Sequence, residues 1–95
     1  MSLSKEELME KYEHAKKMVK LERKILGEYK EKEKQLEEDM DNIKNPVTKR
    51  VIEGVLERIE WNKEYTQDSI EVWEAKVKRY KESLRQLGVG VNGHD

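Results

Sequence analysis

Apolar residues recur at alternating steps of four and three in two separate stretches of this 95-residue chain, and its sole proline stands between them. The first line runs Leu8, Tyr12, Ala15, Val19, Glu22, Leu26, Tyr29, Glu33, Leu36, Met40 and Ile43. The second runs Ile52, Leu56, Ile59, Lys63, Thr66, Ile70, Trp73, Val77, Tyr80, Leu84 and Leu87. A spacing that averages about 3.5 residues is the seam of one helix packed on another, whereas strands need a period of about two. The chain therefore reads as all-α, a long antiparallel two-helix hairpin. Helix 1 is expected over about 4–43, the turn at about 44–45 and helix 2 over about 46–87. Each helix would be about 60 Å long at the usual rise per residue.

Local signals agree with those limits. In Leu3-Ser4-Lys5-Glu6-Glu7-Leu8, Ser4 and Glu7 can form a capping box, with Leu3 and Leu8 as its hydrophobic staple. Asn45 is a favoured N-cap, and Pro46 has no N–H to lose at the first helical position. Proline also disfavours helical geometry at Asn45, so helix 1 should end near Asn42 to Lys44. Gly88 can take the left-handed conformation that stops helix 2, with Val89 folded back on Leu84. Residues 89–95 read as a flexible tail. Gly27 and Gly54 fall off both seams, on the outer surface.

With 43% charged and 35% hydrophobic residues, the single domain over residues 1–88 has little apolar surface from which to build its own core. A lone helix pair buries one stripe from each helix, so partner helices are implied. The simplest partner is a second copy, giving a homodimeric four-helix bundle. Lys and Arg number 20 against 21 Asp and Glu, a net charge of −1, and the signs interleave along both helices. Nucleic acid is not expected, because a phosphate-binding surface needs clustered cations. Lys16, Lys17, Lys20 and Lys24 come nearest, laced with Glu13, Glu22 and Glu28. The absence of any long apolar run argues against a membrane span or signal peptide, and a cytoplasmic setting is expected. With no cysteine, thiolate catalysis, disulfides and zinc–cysteine sites are excluded together.

The seams are interrupted at mid-length by polar residues. Folding about Asn45 pairs residue i with a position near 91 − i, which sets Glu33 against Arg58, Tyr29 against Asn62 and Glu22 against Ser69, with Thr66 and Lys63 close by. Glu22 is flanked by Met18, Val19, Ile25 and Leu26, and an unpaired carboxylate there is costly. One reading is a polar layer of Glu22, Tyr29, Glu33, Arg58, Asn62, Thr66 and Ser69 that fixes register. The other is a carboxylate metal site built from Glu22 and Glu33, with Glu57 or Glu60.

Glu53, Glu57, Glu60, Glu64, Asp68 and Glu71 form an acidic stripe on helix 2 that reads as a solvent face nearly opposite the seam. Beside it, Trp61, Tyr65 and Val72 suggest a second contact surface, for another copy or an unknown protein partner. His14 and His94 have no histidine or cysteine at ligand spacing and read as structural or incidental.

Glu22, the Tyr29 seven residues on, and the turn at Asn45-Pro46 together resemble ferritin-like helical hairpins, including short members in which two helices from each chain assemble into a four-helix bundle. That family carries Glu-x-x-His on the next helix. Here Ile59 and Asn62 stand where Glu and His would be needed, and the frames starting at Glu57 and Glu60 also lack histidine. The resemblance implies the bundle without the di-iron chemistry. Taken together, the sequence leads to the expectation of a non-enzymatic interaction or scaffold module, without cofactor, that self-associates through its apolar faces.

Overall fold

The computed structural model describes residues 3–90, in which helix α1, Lys5–Met40, and helix α2, Pro46–Gln86, pack into an antiparallel hairpin. The rod measures 63 × 25 × 14 Å, with a radius of gyration of 19.6 Å. A compact chain of this length would have a radius of gyration of roughly 12 Å. Among the described residues no helix is long and apolar enough to cross a membrane.

Both helix starts are capped by side chains. The Ser4 hydroxyl accepts from the Glu7 amide at 3.1 Å, and the Leu8 amide donates to the Ser4 carbonyl at 2.9 Å, closing the first turn. The Asn45 side chain accepts from the Val47 amide at 2.9 Å, with Pro46 at the first helical position. At the far end Gly88 adopts φ 79°. The Val89 amide reaches the Leu84 carbonyl at 3.0 Å and the Gly88 amide the Arg85 carbonyl at 3.0 Å. These two bonds make a Schellman motif. Val89 thereby packs on the core and is held in place; the rest of the expected tail, from Val91 on and including His94, lies outside the described residues.

Helix α1 ends at Met40, short of the expected Asn42 to Lys44. Its last turn holds no basic residue. Glu37, Glu38, Asp39 and Asp41 instead set negative charge against the negative end of the helix dipole. The chain leaves through tightened bonds, from the Asn42 amide to the Asp39 carbonyl at 3.1 Å and from the Ile43 amide to the Met40 carbonyl at 3.2 Å.

All residues of the first seam are buried or half-buried, and in the second only Leu87 is exposed. Burial is uneven along the rod. At the open end Leu8, Tyr12 and Leu84 form a sealed cluster with Met9, Val77, Tyr80 and Val89 packed on it, and Ala15 nearby is fully covered. At the turn end Leu36, Met40, Ile43, Ile52 and Leu56 are only half-buried. Two tyrosines and the folded-back Val89 close one end, whereas among the described residues no third element covers the other. The accessible surface of 7606 Å² exceeds the roughly 5,800 Å² of a compact monomer of this size.

Candidate interaction surface

At mid-length one polar pair joins the two helices, and it is not the pair expected. Lys63, not Arg58, is the partner of Glu33: its ammonium donates to both carboxylate oxygens, at 2.8 and 3.0 Å, and to Glu60 at 3.2 Å. Side chains on a helix lean toward its own N-terminus. In an antiparallel pair both partners lean away from their backbone level, so long side chains such as those of Glu33 and Lys63 meet at higher numbers than level pairing suggests, an offset the ring contact of His14 with Trp73 does not follow. Arg23, which meets Glu74 at 2.9 Å, shows the same offset. Arg58 and Asn62 lie off the seam and are exposed. The hydrogen bonds from Lys63 hold the Glu33 carboxyl below the usual carboxylate range, and those to Glu33 and Glu60 raise the Lys63 ammonium above its usual range.

The remaining members of the polar layer are less concerted. Thr66 is buried, while Glu22, Tyr29 and Ser69 are half-buried. No hydrogen bond joins Glu22 to Ser69 or Thr66 among the described residues, and no buried side-chain nitrogen or oxygen there lacks a partner. As to the carboxylate alternative, Lys63 sits between Glu33 and Glu60, Glu57 points to solvent, and among the described residues no three His, Cys, Asp or Glu side chains gather as metal ligands.

The two flanks of the hairpin differ in kind. Residues one position before each seam residue lie about 100° round the helix. On that flank α1 carries His14, Met18, Leu21 and Ile25, and α2 carries Val51, Val55, Tyr65 and Val72. Among the described residues nine large apolar side chains are exposed, and five of them, Leu21, Val51, Val55, Tyr65 and Val72, fall on this one flank. Met18 and Ile25 between them are half-buried. His14 crosses to Trp73 in an edge-to-face contact with ring centroids 5.5 Å apart, and the Lys76 ammonium lies 4.5 Å from the Trp73 ring centre. Trp61, 65% exposed, lies at the back of α2, one turn from Tyr65, 78% exposed.

The opposite flank is charged. There a groove of about 660 Å³ is floored by Val19 and Val77 and rimmed by Lys16, Lys17, Lys20, Arg23, Lys78 and Lys81, with only Glu13 and Glu74 in opposition. Signs that interleave along the chain are thus sorted by the fold, because two basic stretches distant in sequence meet across the hairpin. The acidic residues Glu53, Glu57, Glu60, Glu64 and Glu71 follow one position after seam residues, so they lie beside the seam on this flank and not opposite it; only Asp68 sits at the back. The signal was present in the heptad phase and is missed when charge is read along one helix at a time. Comparison with protein-family models, curated proteins and solved structures gave no match.

Proposed function

We propose that the protein is a non-enzymatic helical interaction module that self-associates through the flank bearing Met18, Leu21, Ile25, Val55, Tyr65 and Val72, two hairpins completing a four-helix bundle. The observation that carries this reading is the alignment of five exposed apolar side chains with two half-buried ones along a single flank of both helices. Isolated exposed apolar residues are ordinary, but a cluster such as Leu21, Tyr65 and Val72 with Met18 and Ile25 marks a contact surface; Glu28, Lys32, Arg58 and Asn62 separate it from Val51 and Val55 nearer the turn. The turn end adds half-buried Leu36, Met40 and Leu56, whose burial a second pair of helices would complete. The partial likeness to ferritin-like half-bundles supports the same assembly. A cytoplasmic setting accords with the charge-rich composition.

Light scattering with size-exclusion chromatography tests the proposal. The expected result is a dimer that Leu21→Glu with Val72→Glu converts to a helical monomer. A wild-type monomer at high micromolar concentration that melts cooperatively would end this reading. Trp61, exposed at the back of α2, favours a second reading, an adaptor for a foreign protein. In that case Trp61→Ala would abolish capture of the partner while sparing the dimer and its stability.

A further inference from the structure

We infer that the charged flank is a second self-contact, in which two copies lie antiparallel, the basic open end of each set against the acidic turn half of the other. Residues one position after each seam residue define this flank on both helices. Near the open end it carries Lys16, Lys20, Arg23, Lys78, Lys81 and Arg85; near the turn it carries Glu37, Asp41, Glu53, Glu57, Glu60 and Glu64. The Arg23–Glu74 ion pair across it shows that the two lines share one side of the hairpin. Lys16 and Lys81 are half-buried and the other ten are exposed. Glu13, Glu71 and Glu74 dilute the positive end, and Lys30, Lys34 and Lys44 the negative end, without reversing either.

Gathering like charges at each end weakens a single chain, since neighbouring like charges repel. A two-fold axis turns that weakness into complementarity, because each positive end meets a negative end twice. The positions also fit a full overlap. An axis midway between Lys20 and Glu37 passes beside Gly27, near the middle of the 63 Å rod. Gly27 is the uncharged residue of the α1 line close to that level. No atom lies within 4 Å of where a Cβ on Gly27 would stand, so two backbones can approach closely there. The occupant is thus a second copy of this chain.

This contact rests on the self-association proposed above only in that the apolar flank forms the dimer and the charged flank then joins dimers. Analytical ultracentrifugation of the full chain across ionic strength separates the two. In about 1 M NaCl, where screening confines charge effects to about 3 Å, the apolar dimer alone is expected. In about 10 mM salt, where they extend to about 30 Å, the mean mass should at least double. Lys20→Glu with Lys78→Glu and Lys81→Glu should abolish that growth, as should Glu53→Lys with Glu57→Lys and Glu64→Lys, and an equal mixture of the two variants should restore it. Lys20→Gln with Lys78→Gln and Lys81→Gln, a gentler change, should also abolish it. Mass independent of salt, or growth that survives in both reversed variants, overturns the inference. A monomer in high salt that pairs only in low salt would instead remove the apolar dimer and leave the charged contact standing.

Discussion

Lys63 donates both to Glu33 on the other helix, at 2.8 Å, and to Glu60 on its own, at 3.2 Å, so one ammonium ties the hairpin together at its middle. With side chains only 20% and 22% exposed, the Lys63–Glu33 pair is shielded more than a surface ion pair. The Glu33 carboxyl is held below its ordinary value of 4.5, so its contribution is present above that value and is lost as pH falls through the lowered one. The Lys63 ammonium is raised above 10.5, so its contribution is present below that value and is lost as pH rises through the raised one. Urea midpoints of wild type and Glu33→Gln should therefore differ by a constant amount at neutral pH and converge in acid. A gap that persists below the carboxylate range would contradict this.

Gly27 and Gly54 lie within helices, with open space where a Cβ would stand. Alanine at either site is expected to stabilise the hairpin by about 1 kcal/mol, mainly by restricting the unfolded chain. Thermal or urea unfolding of each single variant measures this. A loss of stability at Gly27 alone, seen only in low salt, would point to the backbone contact inferred on the charged flank.

Leu84 is fully covered and belongs to the sealed cluster with Leu8 and Tyr12. Leu84→Ala should cost about 2–5 kcal/mol, as expected when a buried leucine leaves a cavity. Leu36→Ala, at a half-buried seam position near the turn, should cost clearly less in a monomer. Equal costs at the two sites would mean that Leu36 is covered by another chain.

Gly88 holds φ 79° with no neighbour crowding it. Gly88→Ala should destabilise by about 1 kcal/mol through backbone strain alone. Gly88→Asn should recover part of that loss, since asparagine tolerates the left-handed region. Chemical denaturation of the two variants side by side tests this ordering.

The seams, both N-caps and the glycine stop at Gly88 were legible in the sequence because each depends on spacing or on neighbours a few residues away. The turn-side end of α1 was not, since the proline points only to residues just before Asn45, whereas acidic side chains from Glu37 to Asp41 act on the last helical turn. Pairing across the hairpin was legible only to within about a helical turn. Backbone levels suggested Arg58 as the partner of Glu33, yet Lys63 stood on the seam line itself, and that membership was the better guide. The two flanks were encoded in the heptad phase one position either side of each seam residue, a comparison that becomes informative once the helices are laid antiparallel.

The uneven burial along the rod sets the order in which it opens. A hairpin is commonly pictured as fraying from its free ends inward, but here Val89 is latched over Leu8, Tyr12 and Leu84, while the bend is joined by half-wet side chains and a dipole-opposed helix end. Amide protons near Leu36 and Leu56 should therefore exchange with deuterium before those near Tyr12 and Tyr80. The molecule yields first at its elbow.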